Sequence, residues 1–267
     1  MVDFQAIKQR QQQTWASGDY AIVATQLNIV SELLCEAAAL RAGQKVLDVA
    51  TGSGNTALAA ARRNCDVTGI DYVPELLRRA QERAETERVK VTLLEGDVEN
   101  LPFTSNSFDV VLSTFGAMFA PNQEQTAKEL VRVCSPGGKI GMANWPKDTF
   151  IGQMLTVVSQ LVPPPQGLKP VVLWGSEEYV RELFSDVISS LQLTRQTVMF
   201  RFQSAEHFLD TFFKYYGPTL KAYQSLDSDG KETMARGLTD LINNFNQSGD
   251  ETVMLPFEYA EIVATKR

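Results

Sequence analysis

The stretch that decides the fold is VLDVATGSGNTAL, Val46–Leu58. A short apolar run, Lys45–Ala50, carries an acid at Asp48 and gives way to a glycine-rich loop. Thr56–Arg63 then continues as an alanine-rich helix. Strand, glycine loop and helix in this order form a ligand cradle. Gly52 and Gly54 permit a left-handed backbone or a close backbone approach. The first amides of the following helix lack intrahelical partners and suit an anionic group. Gly52-Ser53-Gly54-Asn55-Thr56-Ala57 also satisfies G-x-G-x-x-G/A, and Asp71 stands at about the spacing of a ribose-binding acid. A lone fingerprint of this kind leaves a NAD(P)- or FAD-binding oxidoreductase open. Two acids weigh against it. A dinucleotide loop normally follows an apolar strand that runs nearly straight into its first glycine, whereas Asp48 lies inside this one. A further acid, Asp97, closes a later strand in EGDVENLPF, Glu95–Phe103.

On either side of this stretch the chain alternates between strand and helix. Strands are expected at 66–71, 89–94, 108–114 and 139–145. Helices are expected at 74–85, where Pro74 opens the element, and at 122–134. Ser135-Pro136-Gly137-Gly138 forms a turn. Such alternation argues for a parallel sheet covered by helices on both faces. Before it lie a polar, Gln-rich helix at 3–16 and a more apolar one at 24–40. After Trp145 the rhythm changes. Helices are expected at 149–162 and 176–189, a strand at 193–202, helices at 204–223 and 228–247, and a last strand at 258–265. The helical stretch 204–247 is thus an insertion between two strands.

Composition sets outer limits. The chain has 267 residues, 44% hydrophobic and 21% charged, which excludes a disordered or collagen-like chain. The net charge of −7, with Arg62-Arg63 and Arg78-Arg79 only as isolated pairs, argues against a nucleic-acid partner. Cys35, Cys65 and Cys134 are odd in number, widely spaced and free of any C-x-x-C pattern. They read as reduced thiols of a cytoplasmic protein. His207 is the single histidine, so no multi-histidine metal site is possible and no metal is expected. The opening MVDFQAIKQR lacks the apolar core of a signal peptide. No apolar run approaches the roughly 18 residues of a membrane span, and no membrane association is expected. No feature of the sequence specifies an oligomeric state.

The motifs resemble those of the class I S-adenosylmethionine-dependent methyltransferases, most closely the ubiquinone/menaquinone C-methyltransferase-like enzymes. VLDVATGSGNTAL is similar to the family's first motif and GIDYVPELLRRA, Gly69–Ala80, to its second. EGDVENLPFTSNSFDVVLSTFGAMF, Glu95–Phe119, resembles the third and fourth, and RVCSPGGKI, Arg132–Ile140, the turn before the fifth strand. The resemblance covers roughly 44–145. Residues 146–267 follow the quinone enzymes poorly, so that substrate is not implied.

The resemblance implies a Rossmann-like α/β fold: a seven-stranded, mostly parallel sheet flanked by helices, with the insertion placed before an antiparallel last strand. It implies S-adenosylmethionine as cofactor, S-adenosylhomocysteine as product and a small-molecule acceptor. Asp71 would accept from the ribose hydroxyls and Asp97 from the adenine amine, with the Val98 amide serving a ring nitrogen. Ala50, Gly52 and Gly54 would pack on the methionine portion, and Asp48 would help hold its ammonium. Tyr72 would lie along ribose and adenine, and Thr114 would line the passage to the methyl group.

The acceptor pocket is expected beyond the fourth and fifth strands, at Phe115, Met118, Phe119 and Trp145. Trp174, Phe208, Phe212, Tyr215 and Tyr216 are candidates for its roof, although their helical spacing equally describes a core face. No catalytic residue is assigned. An oxygen nucleophile would call for a base, and His207, Tyr215 and Tyr216 are the candidates by type. The expected organisation is one domain over 1–267. Residues 1–43 form N-terminal helices with Trp15 and Tyr20 as a lid, 44–145 the cofactor-binding core, and 146–267 the substrate side with insertion 204–247. A catalytically silent cofactor-binding module is the remaining alternative, with the aromatic residues of 200–216 as an interface.

Overall fold

The computed structural model describes residues 2–267. Three helices lead into the sheet: α1 (Phe4–Trp15), α2 (Tyr20–Ala24) and α3 (Asn28–Ala37). Asp3 caps α1 by accepting from the Ala6 amide. The alternating core follows as β1 (Lys45–Val49), α4 (Asn55–Arg62), β2 (Asp66–Asp71), α5 (Pro74–Glu87), β3 (Thr92–Glu95), β4 (Phe108–Thr114), α6 (Gln123–Val133) and β5 (Cys134–Asn144). The second half comprises α7 (Phe150–Leu161), α8 (Glu177–Phe184), β6 (Ile188–Phe202), α9 (Ala205–Tyr215), α10 (Gly217–Ser225), α11 (Ser228–Phe245) and β7 (Val253–Lys266).

The seven strands form one sheet in the order β3-β2-β1-β4-β5-β7-β6. The first five pair in parallel, and β7 runs antiparallel to both β5 and β6. Helices cover both faces, which is why β1 and β4 read as nearly continuous apolar runs. Leu47, Val49, Val111 and Ile140 belong to one buried cluster. Val46, Val110 and Leu112 pack with Leu34, Ala57 and Ala60 in the other. The chain moves from β1 outward to β2 and β3 and returns on the other side for β4. That reversal opens a crevice at the carboxyl ends of β1 and β4, the usual ligand position in open α/β sheets.

Several expected boundaries move. The helix expected over 24–40 is two helices joined by a turn of 3-10 helix at Thr25–Leu27. The helix expected to reach residue 189 ends at Phe184, and Ser185 takes a positive φ of 24°. β6 then starts at Ile188, because it pairs with β7 over almost its whole length. β7 likewise starts early, at Val253. Its residues 253–259 have β6 as their only strand partner, which leaves Pro256 in an edge-like stretch where a missing N–H is tolerated. The helix expected over 204–223 breaks at Tyr216, since Pro218 disfavours helical backbone before it and opens α10 instead. β3 is displaced, to Thr92–Glu95. The three cysteines are buried and unpaired.

Candidate functional site

A cavity of about 100 Å³ lies in the crevice, at the carboxyl ends of β1, β2, β4 and β5, under α1, α2 and α9. Its floor at β1 is a strained turn. Ala50, Gly52 and Gly54 all have positive φ, at 51°, 54° and 87°. Asp48, 1% exposed, anchors the turn. One of its oxygens, Oδ2, accepts from the Thr51 hydroxyl at 2.5 Å and from the Ala57 amide at 2.9 Å. Burial pushes its carboxyl up to about 7, against these hydrogen bonds and helped by the charge of Asp71. Nearby, the Ser53 hydroxyl is buried with no partner among the described residues. A Cβ on Gly52 would meet only the Tyr20 ring, at 3.9 Å, so the space over this glycine belongs to the cavity.

Asp71 ends β2 and faces the same turn. It accepts from the Gly52 amide at 2.8 Å and the Val73 amide at 2.9 Å. Burial raises its carboxyl to about 6, despite those amides. Tyr72, Val98 and Thr114 also line the wall. The Thr114 hydroxyl shares a 2.7 Å hydrogen bond with that of Thr56, which shares one of 3.0 Å with Ser31.

The opposite end is aromatic. Phe115 stacks on Trp145 with ring centroids 3.7 Å apart and planes 1° from parallel. Phe200 stacks on Phe257 at 3.8 Å. Trp15 meets Tyr20, Phe119 and Tyr216 edge to face at 5.1–5.6 Å. Phe115 holds a φ of 60°, uncommon for a bulky residue, and its amide donates to the Ala143 carbonyl at 2.8 Å. Such a conformation costs on the order of 1–3 kcal/mol and persists where surrounding structure enforces it. The next residue, Gly116, packs tightly on the β1 turn: a Cβ at that position would lie 2.5 Å from the Ala50 carbonyl oxygen.

Most residues singled out from the sequence meet at this cavity: Asp48, Ala50, Gly52, Asp71, Tyr72, Val98, Thr114, Phe115, Phe119, Trp145, Phe212 and Tyr216. Seven do not line it. Gly54 caps α4 away from the wall, where a Cβ would lie 2.9 Å from that of Ala80; its role is to let α4 approach α5. Asp97 sits just outside, 31% exposed, accepting from Lys8 Nζ at 2.5 Å and from the Glu99 amide at 2.9 Å. Met118 is fully buried in the core. Trp174 is also fully buried, packed against Phe184, with its carbonyl accepting from the Asn144 side chain. His207 lies in a separate shallow groove with Arg201 and Met254, and its Nδ1 accepts from the Gln203 amide. The cavity face of α9 runs through Phe212 to Tyr216, and His207 is turned off it by the 3.6-residue period. Of the other roof candidates, Phe208 is buried in the core and Tyr215 is only partly buried, and neither lines the wall.

Ile151, Phe200 and Phe257 complete the aromatic end and were not anticipated. The alternation in TVMFRF, which puts Phe200 and Phe202 on one face, is the signal that could have marked Phe200. Among the described residues no cluster of three His, Cys, Asp or Glu side chains could hold a metal, and no helix is long and apolar enough to cross a membrane.

A family model described as "Methyltransferase domain" matches residues 46–138. The uncharacterized protein Rv1403c of Mycobacterium tuberculosis is 40% identical over 260 residues, which covers 95% of this chain and 93% of that protein. Demethylmenaquinone methyltransferase of Thermus thermophilus is 34% identical over 129 residues, 48% of this chain and 51% of that enzyme. The chain belongs to the class I S-adenosylmethionine-dependent methyltransferase family. The crystal structure of YcgJ from Bacillus subtilis shares the fold, with a TM-score of 0.60 at 20% identity, covering 89% of this chain and 98% of that one. Methyltransferase topology also disposes of the dinucleotide alternative. A dinucleotide-binding Rossmann sheet has the order 3-2-1-4-5-6, with no antiparallel strand between its last two. This sheet has β7 there.

Proposed function

We propose that the cavity divides between S-adenosylmethionine, over the ends of β1 to β3, and a small apolar acceptor under α9. The observation that carries this reading is the juxtaposition, in one crevice, of a polar turn and an aromatic pocket. At the polar end two buried carboxylates and an unpartnered hydroxyl surround open space over Gly52. After the Gly52 and Val73 amides, the Asp71 oxygens retain lone pairs for a ribose diol. Asp48 commits one oxygen to the turn and leaves the other to act, with Ser53, on the ammonium end of the methionine portion. Ala50 and Gly52 flank that portion, Tyr72 lies along the ribose, and the Val98 amide with Asp97 serves the adenine. Bound there, the sulfonium supplies a methyl group already activated for displacement. The protein's task is therefore alignment and exclusion of water. Thr114 and Phe115, at the end of β4, stand between the two halves and set the line of approach.

Of the N-terminal helices in 1–43, α1 and α2, which carry Trp15 and Tyr20, serve as the lid while α3 packs on the sheet; 44–145 serve as the cofactor-binding core and 146–267 as the acceptor side. The cavity's 100 Å³ is well below the roughly 300–1,000 Å³ of ligand sites, so a cofactor enters only when the lid opens. The lid is held by reversible contacts. Lys8 pairs with Asp97 and Glu99, Gln12 donates to the Tyr72 carbonyl, and Gln11 donates to that of Phe119.

Calorimetry with S-adenosylmethionine, S-adenosylhomocysteine and NAD tests the cofactor half. Binding of the first two and not the third is expected. NAD binding alone would sink the reading. A screen of the purified protein with labelled cofactor against metabolite pools tests turnover, and a protein that binds cofactor but labels nothing is a silent module.

A further inference from the structure

The acceptor end of the cavity is unusual in what its wall contains. Its faces are two buried ring stacks, Phe115 on Trp145 and Phe200 on Phe257, closed by Phe212 and Tyr216. The first stack is flat to within 1°, and its Phe115 has a left-handed backbone. The two stacks meet at right angles, with the Trp145 and Phe257 planes 89° apart, and a corner built of ring faces and ring edges suits an aromatic molecule that stacks on one wall and meets the other edge to face. The lining contains no histidine, lysine, arginine or cysteine.

The titratable groups on the whole cavity wall are Asp48, Asp71, Tyr20, Tyr72 and Tyr216. Burial drives all three phenols well above their usual range, Tyr20 and Tyr72 with help from the charge of Asp71 and Tyr216 with help from Tyr20. None of them takes a proton near neutral pH. Asp48 and Asp71 are bound into the β1–α4 and β2–α5 turns by the Thr51 hydroxyl and the Ala57, Gly52 and Val73 amides. Both belong to the polar end. The aromatic end therefore has no group that can act as a general base.

We infer that the acceptor is a planar aromatic molecule whose hydroxyl or thiol ionises by itself, and that it meets the methyl donor as its anion. The inference rests on the cofactor reading above and deepens it. The acceptor's proton passes to solvent before the transfer. In the transfer a lone pair of the anionic oxygen or sulfur forms a bond to the methyl carbon. The carbon–sulfonium bond breaks, and its electron pair stays on sulfur. An anion and a cation become two neutral products, and no proton moves. An apolar pocket favours such a step, because charges that cancel along the reaction lose less in a low-dielectric site than charges that persist. The same pocket disfavours an aliphatic alcohol, which would need its proton removed inside the cavity.

The test uses the intact chain at saturating S-adenosylmethionine with thiophenol, 4-nitrophenol, phenol and cyclohexanol. The pH at which kcat/KM levels off should follow each aryl acceptor's own ionisation, and cyclohexanol should give no product. Read before turnover, 4-nitrophenol in the cofactor complex should show its phenolate absorbance band. Tyr20→Phe and Tyr216→Phe, whatever their rates, should leave the break where the acceptor puts it. One break shared by all acceptors, a break abolished by either tyrosine variant or by Asp48→Asn, a bound phenol band, or methylated cyclohexanol overturns the inference. So does a protein that binds the cofactor in calorimetry and methylates none of the aryl probes, an outcome that spares the cofactor reading. Failure to bind the cofactor at all overturns that reading first.

Discussion

At the ends of β1 and β2 the cavity wall is made of amides, carboxylates and hydroxyls; at the ends of β4 and β5 and under α9 it is made of aromatic rings. The polar wall is local. Its residues come from consecutive strand-to-helix turns and are fixed by hydrogen bonds of 2.5–2.9 Å to one another. The aromatic wall is assembled at long range, from residues as far apart as Trp15 and Phe257. One wall recognises by directional bonds that a single atom can break. The other recognises by shape and area, which several side chains share. Substitutions should therefore separate the two ligands.

The largest separation is expected at Asp71. Asp71→Ala removes the acceptors proposed for the ribose and frees the Gly52 and Val73 amides. Hydrogen bonds to a charged group contribute about 1.5–3 kcal/mol each, so losing two should weaken cofactor binding by about 100-fold or more. Calorimetry on the folded variant checks this, and unchanged affinity would remove Asp71 from the site. Its counterpart at the other end is Phe212→Leu. It should raise the acceptor's KM while moving cofactor affinity by less than about 1.4 kcal/mol, a factor of ten.

Gly54→Ala should act on stability in place of binding. The glycine holds a φ of 87°, and its added methyl would meet the Ala80 Cβ at 2.9 Å. A residue forced into that backbone region costs roughly 1–3 kcal/mol, and the clash with α5 adds to it. Urea denaturation should show the loss, with cofactor affinity of the folded protein changed less than tenfold. Gly52→Ala meets similar backbone strain at its φ of 54° but no clash, since only the Tyr20 ring lies near its added methyl; it should add a loss of cofactor affinity of more than tenfold, because the methyl enters the space proposed for the ligand.

These two glycines show what was legible in the sequence. The motif marked both for the ligand, since glycine spacing reports backbone freedom and not what the freedom is used for. Asp48 was legible as an acid inside an apolar strand and Asp71 from its spacing after the glycine loop, whereas Tyr72, Val98 and Thr114 came with the family resemblance. Phe115, Phe119 and Trp145 were legible because they follow the fourth and fifth strands directly, where the βα rhythm sets their place. His207, Trp174 and Met118 were not, since which way a helix or turn presents them depends on tertiary packing. Phe200 and Phe257 meet only through the β6–β7 register, in which Phe200 pairs with Leu255 and Val198 with Phe257. The antiparallel β7 came with the family resemblance, whereas the order of the strands comes from the structure, and Pro218 breaks α9 from α10 inside a stretch whose apolar spacing reads as one helix.

Asp48 gives the polar wall a pH signature that the aromatic wall lacks. Its carboxyl is raised from 3.8 to about 7 by burial. The folded apoprotein therefore holds a proton that the unfolded chain releases, and stability falls as pH rises from about 4 through 7. A cationic ligand beside it has the opposite preference. Cofactor affinity should rise by up to about tenfold between pH 6 and 8, as the carboxylate forms. Asp48→Asn should flatten the part of both profiles above about pH 6 and leave the part below it, where Asp71, raised by burial to about 6, titrates. Parallel pH profiles in wild type and variant would show that another group sets them.

The smallest effect concerns the proposed lid, whose helix α1 touches both walls. α1 brings Trp15 to the aromatic end and Lys8 to the polar end. Partial burial alone would lower the Lys8 ammonium's pKa, but the carboxylates of Asp97 and Glu99 hold it above its usual value. The pair is part-exposed, with the Lys8 side chain 20% and Asp97 31% accessible. Solvent screening limits such pairs to about 0.2–1 kcal/mol. Lys8→Ala should thus loosen the lid by a factor of about 1.5 to 5. If Lys8 only latches α1, the gain appears in both directions: cofactor enters and leaves faster, and the dissociation constant hardly moves. If Lys8 also positions Asp97 for the adenine, release speeds up while entry does not, and affinity falls by the same small factor. Stopped-flow measurement of cofactor association and release separates the two. Rates unchanged in both directions would mean that α1 is not the gate, and that the cavity opens from the α9 side.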